Sequence, residues 1–161
     1  MNMTKYLATF YNVLTQNEEL KRLLVYKPEH GLDDPLSPDK NDIGMDWDLI
    51  DQVIMRSVVT DDLSNDSKCR ICVYSGNRTP DKENYMYATQ DIIFDVYVHA
   101  KQYDSIDFRL TTICDYLNKL VVNKHLTGLT KTRFLAGQTV MSPPSGFVGY
   151  RLYYRIGTST K

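Results

Sequence analysis

The clearest pattern in the chain covers residues 91–122, where a strand-like segment leads into a helix-like one. From Ile92 to His99, apolar residues alternate with a mixed row, and this period of two predicts a strand with one aliphatic face. Beyond residues 101–104, apolar residues recur at steps of three and four, which predicts a helix over residues 105–123. We expect this helix to cover the aliphatic face of the strand. The strand contributes Ile92, Phe94, Val96 and Val98, and the helix contributes Ile106, Leu110, Ile113, Leu117, Leu120 and Val121.

The N-terminal third is predicted to be helical and then irregular. Residues 5–26 read as helix, with a break and restart near Asn17, a good N-cap residue. Residues 27–46 form a loop rich in proline and aspartate, which we expect to be solvated, and either mobile or functional. A shorter helix is predicted over residues 45–56. We expect one domain over residues 1–161, made of a helical region (1–26), the loop (27–46) and a helix plus α/β core (47–161).

The remaining strands lie on either side of the central unit. Residues 68–75 and 147–156 alternate clearly, residues 126–135 are either a further strand or irregular, and residues 76–88 and 136–146 read as loops. This order predicts an α+β fold with an antiparallel or mixed sheet of about four strands and helices packed on one face. The other face is expected to be exposed. It would carry Tyr97, His99, Arg151, Tyr153 and Arg155.

Charge is unevenly placed although the formal net charge is only −1. Residues 1–115 hold 12 Lys+Arg and 20 Asp+Glu, giving −8, whereas residues 116–161 hold 7 Lys+Arg and no acid, giving +7. Folding either mixes these charges on one surface or presents complementary patches through which copies associate. A basic face for nucleic acid gains little support from this total. Three cysteines and no apparent signal peptide favour a reducing compartment, and no apolar run is long enough to span a bilayer.

The sequence contains short motifs of the kind that bind metals or carry out catalysis, but none of them meets the geometric requirements of such a site. Cys69 and Cys72 have C-x-x-C spacing, but three residues along a strand place side chains on opposite faces, so these cysteines, like Cys114, are expected to be structural. The aspartate run near Asp39 lacks the oxygen ligands of a calcium loop. The three histidines are His30, His99 and His125, and they lie in separate elements. We therefore predict no catalytic residue, no metal and no cofactor, with a small enzyme that uses His99 and a carboxylate as a remaining alternative.

The segment from Arg151 to Arg155 interleaves basic and aromatic residues. Single-strand binding proteins use such rows for stacking and phosphate contact. An alternating strand whose outer face pairs with a neighbouring strand or packs on a subunit explains the pattern better. A non-viral nucleic-acid-binding module therefore remains an alternative.

The order of elements and their apolar skeleton resemble the tail-terminator or tail-to-head joining proteins of long-tailed bacteriophages. The resemblance covers most of residues 6–156. It does not extend to the loop at residues 27–46. It is carried by the helical region ending in Leu23-Leu24-Val25-Tyr26, by Arg70-Ile71-Cys72-Val73-Tyr74, by residues 93–99, by residues 109–117 and by residues 146–154.

The resemblance implies a structural virion protein without enzymatic activity. Such a protein forms a ring, expected to be a hexamer, that caps the tail tube, ends tube polymerisation and joins the tail to the head-side connector. Its partners would be further copies of itself, the tail tube protein and the connector or stopper protein. DNA would only pass through the channel, no membrane would be involved, and assembly would occur in the host cytoplasm. A head-closure or adaptor role in the neck is the alternative within this class.

The interface residues follow from the composition of protein contacts, in which aromatic residues, Met and Arg are enriched. Loops such as residues 76–88 and 136–146 could reach neighbouring rings and order on contact. The candidate interface residues are Tyr85, Met86, Tyr87, Phe147, Arg151, Tyr153 and Arg155.

Overall fold

A mixed β-sheet with helices against one face forms the framework of the chain. The structure is a computed structural model and describes residues 2–161. The helices are α1 (Met3–Gln16), α2 (Glu18–Val25), α3 (Trp47–Val53), α4 (Ser105–Asp107) and α5 (Arg109–Val121). The strands are β1 (Ile54–Met55), β2 (Cys69–Pro80), β3 (Tyr87–His99), β4 (Arg133–Thr139) and β5 (Phe147–Ser159). The α+β class is confirmed, with five strands over the described residues where about four were expected.

The sheet has the order β1-β2-β3-β5-β4. β1 runs parallel to β2, and the other three pairs are antiparallel. β3 and β5 pair along their whole lengths, from Tyr87 opposite Ser159 to His99 opposite Phe147. The predicted central strand is therefore the middle of the sheet. β1 and β4 form its two edges.

The helix-covered face holds the main core. The aliphatic row of β3 is fully buried, as predicted, and Phe94 packs against Phe10 of α1 and Tyr154 of β5. Ile113, Leu117 and Val121 of α5 and the leucines of α2 complete the same cluster. Burial of this apolar surface is the main force that holds helices and sheet together. Within residues 2–161, no helix is both long and apolar enough to cross a membrane.

The N-terminal helical region is broken where the sequence indicated. Asn17 is extended between α1 and α2, and its side chain accepts the Leu20 amide at 2.9 Å, which caps α2. The loop at residues 27–46 is more constrained than expected. Arg22 of α2 donates to the carbonyls of Ser37 and Lys40, and Glu18 accepts the amides of Ile43 and Gly44. These bonds fasten the loop along α2.

The helix predicted over residues 105–123 is interrupted. A π-helical turn (Ala100–Asp104) and one turn of α4 precede Phe108, which has a φ of 53° and separates α4 from α5. Positive φ is unusual for a bulky residue. The interruption lets the Asp104 carboxylate accept the Leu110 amide at 2.9 Å and turns Arg109 into the core, where it is 1% exposed.

The second face of the sheet is less open than expected, and the prediction for Tyr97 was wrong. Tyr97 is 4% exposed and packs with Leu63, Cys72 and Phe147. The segment between β1 and β2 lies over this part of the sheet. Fully buried Arg70 holds the segment in place through a bidentate pair with Asp62, at 2.5 and 2.9 Å.

Two predicted loops contain strand. Residues 76–80 and 87–88 continue β2 and β3 past a bulge between Ser75 and Arg78, so the connection is only residues 81–86. Likewise β4 runs through residues 136–139, inside the predicted loop at 136–146. Polar residues without strong alternation obscured both extensions. Their backbones pair with β3 and β5, and side-chain pattern does not report that pairing.

Candidate assembly surfaces

The turn between β2 and β3 presents an aromatic tip on a well-bonded base. Asp81 accepts the amides of Glu83 and Asn84 at 2.9 and 2.8 Å, and Thr160, just beyond β5, donates its hydroxyl to the Tyr85 carbonyl at 2.8 Å. Tyr85 is 81% exposed and Met86 is 40% exposed. Tyr87 is half-buried and turns back over Gly157, where an added Cβ would lie within 3 Å of its ring. Two of the three predicted tip residues, Tyr85 and Met86, are thus exposed.

The arginines of β5 are paired within the chain. Arg151 makes a bidentate pair with Asp95 directly across from it on β3, at 2.6 and 2.9 Å. Arg155 does the same with Asp91, at 2.6 and 3.0 Å. The hydrogen bonds to these carboxylates raise the pKa of both guanidinium groups. Both side chains remain 31% exposed, so this ladder is a neutral, partly open surface.

Tyrosines complete the surroundings of the ladder. Tyr74 donates its hydroxyl to Asp95 at 2.9 Å, and burial and this acceptor raise the pKa of Tyr74. Burial also raises the pKa of Tyr97 to about 12. Tyr153 lies between the two arginines and accepts a hydrogen bond from Gln138 at 3.0 Å. The raised pKa values keep the hydroxyls of Tyr74 and Tyr97 protonated near neutral pH.

Phe147 differs from the other candidate interface residues because its side chain is only 6% exposed. Its ring packs edge-on against His99, with centroids 5.1 Å apart. The aromatic character that suggested an interface anchor also suits a small core, and sequence pattern does not separate the two. In this conformation the ring has almost no surface to offer a partner.

The groups that could carry chemistry are held in structural roles. Histidines 30 and 99 each accept a nearby backbone amide through Nδ1, and His125 contacts the Gly128 carbonyl. Cys69 and Cys72 lie in the clusters on opposite faces of the sheet, as predicted. Burial raises the pKa of the Cys72 thiol to about 11 and that of Cys114 to about 12. Over residues 2–161, no three His, Cys, Asp or Glu side chains gather to hold a metal ion.

An apolar groove of about 490 Å³ opens beside the β1/β2 edge of the sheet. The sequence reasoning did not anticipate it. α1 forms one wall, and Trp47, Arg56, Val73 and Ser75 contribute the other side. The signal in the sequence that could have predicted the groove is a second apolar stripe on α1, with its residues four positions apart. That stripe consists of Met3, Leu7 and Tyr11.

A second unanticipated surface is the free edge of β4. Nearly all of its side chains are exposed, and Phe134 and Leu135 are 44% and 40% exposed. Met141, just beyond the strand, is 93% exposed. Exposed apolar groups at an unpaired sheet edge are a common mark of a contact with another chain.

Comparison with known proteins defines first a fold and then a family. The fold matches a chain of the solved virion of a native gene transfer agent (GTA) particle, with a TM-score of 0.62, 13% identity and 98% of both chains covered. The YomW family model matches residues 17–156. The SPbeta prophage-derived uncharacterized protein YomW of Bacillus subtilis (strain 168) is 31% identical over 172 aligned residues, covering 99% of each chain. The chain belongs to the YomW family.

Proposed function

We propose that this protein is a structural component of a phage-type virion that forms a ring on the end of the tail tube. The ring would end tube polymerisation and join the tail to the head-side connector, as the resemblance to tail terminators implies. The observation that carries the proposal is the shared fold, over 98% of both chains, with a component of the gene transfer agent virion. The prophage origin of its Bacillus subtilis relative supports the same class.

The surfaces of the chain fit a role based on contact rather than chemistry. The exposed Tyr85 tip is held on a hydrogen-bonded base, so it can meet a partner with little loss of conformational entropy. The apolar groove and the free β4 edge provide two further surfaces of different shape. Unlike surfaces on one subunit are what a closed ring of heterologous contacts requires.

The arginine ladder argues against the nucleic-acid alternative. A strand that binds DNA needs guanidinium groups free to replace the counterions of phosphates. Arg151 and Arg155 instead each spend two hydrogen bonds on a buried aspartate. Binding a phosphate there would leave the Asp95 and Asp91 carboxylates inside the sheet without their cationic partners, at a cost of several kcal/mol.

The test is the mass of the purified protein by light scattering, alone and after mixing with tail tubes of the same phage. We expect a ring of about six copies, either in solution or on tube ends, and tubes that no longer elongate when fresh tube protein is added. A ring that binds the connector but ignores tubes would move the protein to the head-closure position. A monomer that binds neither would overturn the proposal, and titration with DNA would then test the binding-module alternative.

A further inference from the structure

We propose that the apolar groove beside α1 receives the β4 edge of a second copy of this chain, in a contact that repeats head to tail. The inference rests on the proposed ring and identifies the two surfaces that would close it. Its first basis is shape. The groove is a concave site lined mainly by α1, and β4 is an edge strand from which Phe134 and Leu135 are exposed, with no strand on its outer side among residues 2–161.

The groove has apolar walls, and one of its sides is the part of β2 that β1 does not cover. β1 covers only Ile71 and Cys72 of β2, so from Val73 onward β2 has no strand on its outer side among residues 2–161. Val73 and Ser75 lie in this uncovered part and line the groove. Trp47 is 45% exposed at the rim. A large indole left this exposed beside an apolar groove is the kind of residue that anchors protein contacts.

The β4 edge supplies a matching apolar side chain, Phe134, on the correct side of the sheet. Phe134 lies opposite Tyr154, a core residue on the helix-covered face, and its ring packs 5.8 Å from that tyrosine. Val73, in the groove, belongs to the same face. Side chains directly opposite on neighbouring strands share a face. The groove and the Phe134 ring therefore lie on the same side of the sheet, at its two ends.

The two surfaces also differ in charge. The groove side carries Asp46, Asp48 and Asp51 in exposed positions, while its one lining cation, Arg56, is stacked 4.5 Å from the Tyr11 ring. The β4 side belongs to the segment 116–161, which has seven basic residues and no acid. Lys131 and Arg133 are exposed there. Acidic and basic rims around apolar centres favour this register over contacts between like surfaces.

Topology places the two surfaces where a ring needs them. β4 is the last strand at one edge of the sheet, and the groove lies at the other edge. A contact between opposite edges is heterologous, so each copy uses both surfaces and the chain of contacts can close on itself. An isologous contact would instead stop at a dimer. The site is thus completed only by a neighbouring copy.

The test uses two variants at exposed positions, each of which blocks one surface. Ala8→Arg places a long cation in the groove, and Leu135→Glu places a carboxylate on the β4 edge. Gln16→Arg, on the same helix but outside the groove, and Leu32→Glu, at a residue 92% exposed, are the matched controls. Circular dichroism and urea midpoints check that all four fold like the unmodified protein, and sedimentation velocity measures association.

We expect each blocking variant alone to self-associate at least about tenfold more weakly, the loss typical of an interface anchor. A one-to-one mixture of the two should form pairs, because the intact edge of one meets the intact groove of the other and the two remaining surfaces are blocked. The controls should assemble normally. Blocking variants that form rings like the unmodified protein would overturn the inference while leaving the proposed function intact. An unmodified protein that never assembles, with or without tubes, would overturn both.

Crosslinking provides a second measurement that also captures weak contacts. The native cysteines are all buried, so cysteines introduced at Ala8 and Leu135 would be the accessible ones. The double variant, treated with a short bis-maleimide, should yield a ladder of linked copies that ends at the ring size. Each single variant should yield no linked product. Dimers from a single variant would indicate an isologous contact and would contradict the proposal.

Discussion

Replacing Arg109 with alanine should be among the most destabilising single changes in this chain. The guanidinium donates to the carbonyls of Leu23 and Tyr26 at 2.6 Å each, and it makes two bonds to Asp107, at 3.0 and 2.7 Å. It therefore connects α5 to the end of α2 and neutralises a carboxylate that is only 12% exposed. Arg109→Ala removes the cation and leaves every acceptor in place.

The magnitude follows from the groups left behind. Removing one partner of a buried ion pair costs roughly 3–5 kcal/mol, and an unsatisfied buried carbonyl costs about 1–3 kcal/mol. Water can reach the Tyr26 carbonyl, which is half-buried at the helix end, so the sum is an upper limit. We expect a loss of about 4 kcal/mol in the free energy of unfolding. With a urea m-value of about 2 kcal/mol/M, the midpoint falls by about 2 M.

Urea titration followed by circular dichroism measures this change. Thr111→Ala, at an exposed position of the same helix, is the control and should change stability by no more than about 0.5 kcal/mol. Adding Asp107→Asn to Arg109→Ala should recover part of the loss, because the uncompensated charge disappears. A loss below about 1 kcal/mol for Arg109→Ala would refute the assignment of this side chain as the clamp between α2 and α5.

Two further predictions concern ionisation. The hydrogen bonds from Arg70 hold the pKa of Asp62 below its ordinary value of 3.8, so the pair stabilises the fold above about pH 4 and loses this effect as the pH falls through the lowered pKa. The difference in urea midpoint between the unmodified protein and Asp62→Asn should therefore be smaller at about pH 3 than at about pH 7. An equal difference at the two pH values would contradict the pairing of Asp62 with Arg70. Burial raises the thiol pKa of all three cysteines. At about pH 8, below the ordinary thiol pKa, a thiol reagent should therefore label none of them in the folded protein and all three in denaturant. Fast labelling of the folded protein would contradict the burial.

The elements that the sequence predicted well are those in which local signals agree with packing. The β3 strand and the core-facing residues of α5 followed from apolar periodicity, and the restart of the helix followed from Asn17 as a cap. The residue type of a single arginine or phenylalanine does not predict which partner its side chain contacts in the fold. Arg151 pairs with Asp95 on the neighbouring strand, and Phe147 packs in a small core with Leu63 and Tyr97. These partners are distant in sequence. Such pairings depend on strand register, which alternation alone does not determine.

The candidate surfaces were only partly predictable for a related reason. Tyr85 is exposed as expected because a turn between two strands necessarily projects from the sheet. The groove depends instead on β1 being two residues long, so that it leaves part of β2 uncovered. The length of a paired strand is a tertiary property. In the sequence, only the second apolar stripe on α1 pointed to that surface.

The irregular sheet edges also bear on how this protein avoids uncontrolled aggregation. An edge strand with a long run of regular backbone can recruit further strands indefinitely and seed fibres. Here the outer edge of β2 is regular for only a few residues beyond β1 before the bulge, and the strand ends at Pro80, which has no amide proton to donate. The β4 ladder is likewise broken between Phe134 and Ala136. These interruptions limit backbone pairing between copies, so we expect the contact proposed above to form through side chains.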